Sequence, residues 1–209
     1  MARRANPFYV AMGAMAYPLT WGPWRMKVLG SEHLPREGGF VIACNHLSLF
    51  DPYVVAYPFF PRRPLRYMAK AELYWGPLSP LLYAAGAFPV RRGEGDVGAF
   101  KTAVELAKSG EVVVVFAFGM REKIAARKEI DLYARGGAAR IALAAKVPLV
   151  PAGIAGSDRL PMPTKLRLAF GATDLLDGLG DMRPRDAAGV ATERLAERIT
   201  ELRALAAAA

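Results

Sequence analysis

The feature that most restricts the fold is a run of β-branched residues near the middle of the chain. Residues 112–116 follow the helix-ending pair Ser109-Gly110, and four of the five are valine. A strand without polar residues on either side is buried on both faces, which is typical of a central strand in a parallel sheet. The chain therefore predicts a sheet that helices cover on two sides.

Further strands and helices alternate on both sides of this run. Strands are predicted at residues 40–44, 65–69, 88–90, 147–154 and 166–170, and helices at residues 73–85, 97–108, 138–145 and 186–207. Such alternation predicts an α/β fold with a mixed, mostly parallel central sheet flanked by helices. The Phe88 strand contains Pro89, which cannot donate to a ladder, so we expect it at a sheet edge or strand end.

The N-terminal segment differs from the rest. Residues 8–24 carry no charge, but the run is interrupted by Pro18 and is shorter than the roughly 20 continuous apolar residues that a spanning helix needs. We expect two short helices lying in a membrane interface, with Trp21 and Trp24 as anchors. The alternative is one apolar helix packed on the domain. This divides the chain into a membrane-associated segment, 1–28, and a domain, 29–209.

The amino-acid composition limits the kinds of binding partner and the cellular compartment to be expected. The net charge of +9 and the pI near 9.9 favour anionic partners. The sequence has no zinc-ligand spacing and no RNA-binding aromatic signature, so we expect a phospholipid surface rather than nucleic acid. The single cysteine, Cys44, excludes an internal disulfide and fits a reducing compartment. These features predict a peripheral or monotopic protein at the cytoplasmic face of the membrane. His33 and His46 do not form a ligand pair, so no metal is expected.

The segment from Asn45 to Asp51 carries the candidate chemistry. His46 directly follows a predicted buried strand, and Asp51 precedes Pro52 where the next helix begins, as an N-cap would. Both residues therefore lie at the carboxyl end of the sheet, where open α/β folds place their sites. His46 can act as a general base if Asp51 holds its other ring nitrogen in the right tautomer.

This segment has two other interpretations. The first is structural: an N-cap carboxylate beside an exposed histidine. The second makes Ser48 the nucleophile of a hydrolase, but no Gly-x-Ser-x-Gly elbow surrounds it.

Four segments, in order, resemble the glycerolipid acyltransferase family typified by 1-acylglycerol-3-phosphate acyltransferase. The first is Asn45 to Asp51, and the others are Gly86 to Arg92, Phe116 to Arg121 and Val147 to Pro151. The similarity covers about residues 30 to 172. It implies transfer of an acyl group from acyl-CoA or an acyl-carrier protein to a lysophosphatidate-like hydroxyl in phospholipid synthesis, without a cofactor.

The resemblance and the residues themselves indicate how the substrates are held. In the family an arginine of the second block is thought to hold the acceptor's phosphate, which here corresponds to Arg91 and Arg92, and a guanidinium fork suits a phosphate. Arg121 would reach the same sheet end, and Lys70 is a secondary candidate. Gly119 could offer a backbone N–H to a developing oxyanion.

The third block departs from the family pattern. Where the family has Phe-Pro-Glu-Gly-Thr-Arg, this chain has Phe116-Ala117-Phe118-Gly119-Met120-Arg121, so Phe118 replaces an acidic residue. A changed acceptor, a slowed enzyme, or a non-catalytic lipid-binding protein on the same scaffold would each fit this replacement.

Overall fold

The computed structural model describes residues 5–91, 96–118 and 136–209. The strands are β1 (Lys27–Leu29), β2 (Phe40–Asn45), β3 (Leu65–Lys70), β4 (Ala87–Val90), β5 (Val112–Phe118), β6 (Leu149–Ala155) and β7 (Arg167–Phe170). The α-helices are α1 (Pro7–Trp21), α2 (Asp51–Ala56), α3 (Leu78–Ala84), α4 (Val97–Lys108), α5 (Gly137–Ala145) and α6 (Pro184–Ala208). Short 3₁₀ turns lie at Ser31–His33, Tyr57–Phe59, Ala71–Leu73, Ser157–Arg159 and Asp174–Leu176.

These strands form one seven-stranded sheet in the order β1-β7-β6-β2-β5-β3-β4. Every neighbouring pair is parallel except β6 and β7, which are antiparallel. The predicted mixed, mostly parallel α/β fold is confirmed. The valine-rich β5 lies between β2 and β3, as expected of a central strand, and β4 with its Pro89 is at an edge.

Alternation along β2 divides the core into two layers. Val41 and Ala43 pack with the buried alanines of α4 and α5 and with Leu195 of α6. Phe40, Ile42 and Cys44 point to the other face and pack with Val54 and Val55 of α2. Because successive side chains of a strand point to opposite faces, a wholly apolar β2 is what a sheet covered on both sides requires.

The carboxyl ends of β2, β5, β3 and β4 meet at one edge of the sheet because these four strands are adjacent and parallel. The buried side chain of Asn45 fixes the end of β2 against β6. Its Nδ2 donates to the Ile154 carbonyl at 3.0 Å, and the Ile154 N–H donates to its Oδ1 at 2.7 Å. The amide thus continues the pairing beyond the last ladder pair, Cys44 with Ala152, and holds the following residue, His46, in place.

The N-terminal segment forms one helix, so the prediction of two short helices was wrong. Asn6 caps α1 by accepting from the Tyr9 N–H at 2.8 Å, and the helix continues through Pro18 to Trp21. Pro18 has no N–H to donate to the turn before it, but its carbonyl still accepts the N–H of the C-cap residue, Gly22, at 3.2 Å.

Helix α1 packs on the domain, which was the alternative expectation. Tyr9 is buried, and the ring of Phe60 lies where a Cβ on Gly13 would be. Trp24 is only 5% exposed and donates from its ring N–H to the Pro161 carbonyl at 3.1 Å. Trp24 is therefore a core residue, and its expected role as an interfacial anchor was wrong.

Helix α1 also leaves apolar side chains in solvent, including Met15, Leu19 and Trp21, of which Trp21 is 74% exposed. Among the described residues, no helix has the length and apolar character that crossing a bilayer requires. Membrane association of residues 1–28 stays a prediction.

Two further segments differ from the sequence expectations. The helix expected over residues 73–85 begins only at Leu78, because Gly76 adopts a positive φ of 39° and Pro77 follows it. Strand β1 was not predicted, since three residues carry too little periodicity to be recognised; it spans the expected domain boundary between residues 28 and 29.

The close packing of α6 on β6 predicts opposite effects for two glycine-to-alanine changes. A Cβ on Gly153 would lie 2.4 Å from the backbone nitrogen of Arg203, so Gly153→Ala should destabilise the fold by about 1–3 kcal/mol. Gly189, exposed on α6, has no atom within 4 Å of such a Cβ, and Gly189→Ala should stabilise by about 0.5–1 kcal/mol. Urea unfolding of both variants checks this; equal effects would contradict the described helix–sheet contact.

Candidate active site

His46 and Asp51 form a hydrogen-bonded pair at the carboxyl end of β2. His46 Nδ1 lies 2.7 Å from Asp51 Oδ2, with the histidine side chain 9% exposed and the aspartate side chain fully buried. The residues were predicted to converge because one follows a strand and the other begins a helix. The structure brings them together as the sequence indicated.

Asp51 is the first residue of α2, and Phe50 occupies the N-cap position. The prediction that Asp51 caps this helix, with Pro52 in the first helical position, was therefore wrong by one residue. The carboxylate instead turns back on the preceding loop, where its Oδ2 accepts the N–H of Leu47 at 2.6 Å and of Ser48 at 2.8 Å. These bonds tie the five-residue connection into a fixed shape.

Ser48 helps to shape the same loop. Its hydroxyl oxygen accepts the Phe50 N–H at 3.3 Å, and its carbonyl accepts the Asp51 N–H at 3.1 Å. These local contacts are typical of a serine that stabilises a turn. Ser48 is therefore engaged in the structure of the loop.

The hydrogen bond to Asp51 determines which nitrogen of His46 is available for chemistry. A carboxylate can only accept, so a neutral imidazole beside it carries its proton on Nδ1 and leaves the lone pair on Nε2. The ring is also held by Phe116 of β5, stacked at 4.2 Å between centroids and 23° between planes. His46 is thus oriented by a hydrogen bond and by a ring contact.

His46 borders a cavity of about 530 Å³. Its walls come from α1, α2 and the turn that follows, β3 and α3, and most of the lining is apolar; it includes Met12, Tyr17, Phe60, Leu82, Ala85 and Phe116. Ligand sites of this kind are mostly apolar with a few placed polar groups. The cavity can therefore hold a long apolar group with one end beside the imidazole.

The predicted substrate-binding residues differ in how near they lie to His46, and some of them are outside the described part of the chain. Lys70 ends β3 and lines the same cavity as His46. Arg91 follows β4 and is exposed; with neighbouring strands about 4.8 Å apart, β4 lies about 14 Å from β2 across the sheet. Arg92, Gly119 and Arg121 lie outside the described residues, so their roles stay predictions.

Asp96 organises the chain around Arg91. Its Oδ2 accepts the Arg91 N–H at 2.9 Å, and its Oδ1 accepts the Ala99 N–H at 2.9 Å, which caps α4. These hydrogen bonds, first that from Arg91 and then that from Ala99, lower the pKa of the Asp96 carboxyl. The start of α4 and the end of β4 are therefore linked by one carboxylate.

Burial removes two other groups from acid–base chemistry. Desolvation, and to a smaller extent the Asp51 charge, raises the pKa of the Cys44 thiol well above its ordinary value. Desolvation likewise raises the pKa of Tyr67 well above its ordinary value, and its hydroxyl donates to the Pro52 carbonyl at 2.8 Å. Cys44 is thus disfavoured as a thiolate nucleophile, and Tyr67 fastens α2 to β3.

Three structural contributors to the site were not found from the sequence. Phe116 lies against His46, Tyr67 supports α2, and α1 forms a wall of the cavity. Each depends on which strands and helices become neighbours, and local periodicity does not contain that information. The position of Phe116 at the start of the third block was the one available signal.

The backbone of Phe118, at the end of β5, lies opposite Asn45 after a register shift that follows Cys44.

Comparison with known proteins agrees with this geometry. The acyltransferase family model matches residues 25–155. A 1-acyl-sn-glycerol-3-phosphate acyltransferase of Bacillus subtilis (strain 168) is 33% identical over 183 residues, covering 85% of this chain and 87% of the relative. An uncharacterized protein of Mycobacterium tuberculosis (strain ATCC 25618 / H37Rv) is 28% identical over 155 residues. The match covers 69% of this chain and 41% of the mycobacterial protein.

A solved structure has the same fold. The crystal structure of the 1-acyl-sn-glycerophosphate (LPA) acyltransferase PlsC from Thermotoga maritima matches with a TM-score of 0.67 and 24% identity, covering 94% of this chain and 78% of that one. The chain belongs to the acyltransferase family, and it is an acyltransferase. The resemblance inferred from the four sequence blocks is confirmed.

The lowered pKa of Asp96 predicts a pH-dependent stability difference. A carboxyl whose pKa is lower in the folded state stabilises the fold above its ordinary value of 3.8, and this contribution is lost as the pH falls through the folded value. Asp96→Ala should therefore be less stable than the unchanged chain at pH 7, and the difference should shrink below pH 3.8.

Asp96→Asn is the matched control, because asparagine also caps helices but carries no charge. It should lose less stability than Asp96→Ala at pH 7. Thermal unfolding of the three proteins between pH 7 and pH 2.5 is the measurement. A difference that stays constant over this range would contradict the role assigned to the carboxylate.

Proposed function

We propose that the chain transfers a fatty acyl group from acyl-CoA or an acyl-carrier-protein thioester to the free hydroxyl of a lysophosphatidate-like lipid, with His46 as general base. The observation that carries this proposal is the pairing of His46 with buried Asp51 at the edge of an apolar cavity. The name of the Bacillus subtilis relative supports the acceptor class.

In the proposed reaction, His46 Nε2 takes the proton of the acceptor hydroxyl as its oxygen attacks the thioester carbonyl carbon. Asp51 stabilises the imidazolium through Nδ1. When the tetrahedral intermediate collapses, the C–S bond breaks and the imidazolium returns the proton to the leaving thiolate. The products are an ester and a free thiol, and the scheme uses no metal, no organic cofactor and no acyl-enzyme.

The cavity supports an acyl thioester as the donor. A fatty chain in this space would contact Met12, Phe60 and Leu82 and would leave its reactive end near His46. Each buried methylene contributes about 0.8 kcal/mol, so an apolar cavity of this size can retain a long chain. CoA and a carrier protein present the same acyl thioester, and both remain candidates.

The acceptor phosphate would be held by basic groups at the carboxyl ends of the strands. Lys70 supports this proposal because it shares the cavity with His46. We also assign this role to Arg91, Arg92 and Arg121 on the sequence pattern, and we propose that the Gly119 N–H donates to the oxyanion.

We propose that the protein works at the cytoplasmic face of the membrane, with a phospholipid surface rather than nucleic acid as its partner. The exposed apolar residues of α1 support this, as does Leu49 in the loop between His46 and Asp51, which is 75% exposed. Apolar side chains of this kind can enter the headgroup region while the net charge of +9 favours anionic lipid.

The proposed mechanism predicts distinct effects for three substitutions. His46→Ala should lower kcat by at least about 1,000-fold, because the proposed general base is removed, and Asp51→Asn should lower it by about 100- to 10,000-fold, because the imidazolium loses its charge partner. The exposed His33 serves as the control, and His33→Ala should keep full activity. Transfer from palmitoyl-CoA to lysophosphatidate in detergent micelles is the assay, with circular dichroism to check folding. Substantial transfer by a folded His46→Ala variant would contradict the mechanism.

The replacement of an acidic residue by Phe118 predicts a change in how the acceptor is used and no change in the His46–Asp51 pair. We expect the unchanged chain to be active and Phe118→Glu to change KM for lysophosphatidate, kcat or both, because the resemblance associates the family's glutamate with acceptor binding and activity. The measurement is the steady-state kinetics of both proteins with the same donor, with lysophosphatidate varied. Activity found only in Phe118→Glu, with equal binding of anionic phospholipid vesicles by both proteins, would favour the lipid-binding alternative.

A further inference from the structure

We infer that Phe116 is a positioning residue that stabilises the protonated form of His46 during acyl transfer. The inference rests on the proposed role of His46 as general base. It starts from the ring contact at the site: the two ring centroids are 4.2 Å apart, the planes are inclined by 23°, and both side chains line the cavity.

The contact has an electrostatic as well as a steric consequence. The face of a phenyl ring is negative, and a cation within about 6 Å of its centroid is attracted to it, most strongly where water is excluded. The His46 side chain is 9% exposed, so its ring meets this face away from bulk solvent. Phe116 therefore favours the imidazolium over the neutral imidazole.

This preference matters for the rate because the imidazolium exists only after the acceptor hydroxyl has lost its proton. An interaction that is stronger in the transition state than in the ground state raises kcat, whereas one that is equal in both lowers only KM. Phe116 would thus act together with Asp51. The carboxylate contacts Nδ1 in the plane of the imidazole, and the phenyl ring lies over the face of the imidazole on which the charge develops.

The backbone places Phe116 where it can do this. In the β2–β5 register, Phe116 pairs with Cys44, which lies two residues before His46 in the chain. The register shifts directly after that pair. A central strand thus carries the ring, which is consistent with a fixed contact. The ordinary alternative is that Phe116 is only a wall of the cavity and contributes shape.

Fluorinated phenylalanines separate these two roles because fluorine weakens the negative face of the ring while changing its shape little. We would replace Phe116 with phenylalanines that carry one, two or three fluorines, in the full chain. We expect kcat for transfer from palmitoyl-CoA to lysophosphatidate to fall with each fluorine, by about 3- to 10-fold at the third, with KM values unchanged. The same series at Phe170, a buried residue whose ring contacts Phe59, should leave kcat unchanged.

A second measurement does not depend on turnover. The protein has two histidines, and the exposed His33 is an internal reference for the NMR signals of His46. We expect the pH at which half of His46 is protonated to fall by about half a unit across the Phe116 series, and that of His33 to stay fixed.

The other groups around His46 are the same in every variant. Of the described residues, these are Asp51, which contacts Nδ1, and the titratable side chains that line the same cavity: Tyr9, Tyr17, Tyr53, Tyr57, Tyr67 and Lys70. A change along the series therefore reports the ring of Phe116.

The outcomes separate the inference from the function on which it rests. If the chain transfers acyl groups but kcat does not vary along the Phe116 series, the inference is overturned and the proposed function stands. If the His46 midpoint falls along the series while no protein transfers an acyl group, the contact is supported and the proposed function fails. If neither kcat nor the midpoint responds to fluorine, Phe116 only shapes the cavity.

Discussion

The active site depends on one buried carboxylate. Asp51 Oδ2 accepts the N–H groups of Leu47 and Ser48 and lies 2.7 Å from His46 Nδ1, so a single atom fixes both the loop and the imidazole of His46. A carboxylate withdrawn from water needs such partners, since an unpaired buried charge is strongly destabilising. The loop is therefore tightly specified: a change that releases Asp51 also releases the orientation of His46, which links the stability of this segment to its chemistry.

The second organising feature is the cavity, which connects the N-terminal segment with the active site. Helix α1 is more than a surface attachment, because Tyr9, Met12 and Gly13 line the cavity that His46 also lines. The absence of a side chain at Gly13 lets the Phe60 ring pack against the helix, and Tyr17 stacks on Tyr57 at 5.3 Å between centroids. The same helix presents Trp21 to solvent. Helix α1 therefore contacts both the cavity and the surrounding medium.

The sequence predicted what depends on local pattern and missed what depends on the choice of neighbours. Residues 112–116 could be assigned to a central strand because their composition admits no solvent-facing side, and the edge position of β4 followed from Pro89. The convergence of His46 and Asp51 was predictable because strand ends and helix starts share one side of a parallel sheet. The helix start was misplaced by one residue, since the Asp51 carboxylate bonds backward to the loop instead of forward to the helix. The stacking of Phe116, the burial of Trp24 and the wall formed by α1 arise from long-range packing that one sequence does not display.

In the proposed function, the acyl chain of the donor occupies this cavity with its reactive end at His46. The most direct measurement is a crystal structure of the chain with a palmitoyl-CoA analogue in which a methylene replaces the thioester carbonyl, so that no transfer occurs. We expect the alkyl chain to lie between α1 and α3. We also expect space beside the carbon that replaces the carbonyl, so that an acceptor oxygen placed there would lie within hydrogen-bonding distance of His46 Nε2. An alkyl chain bound elsewhere, with the cavity closed to it, would show that the donor does not bind in this way.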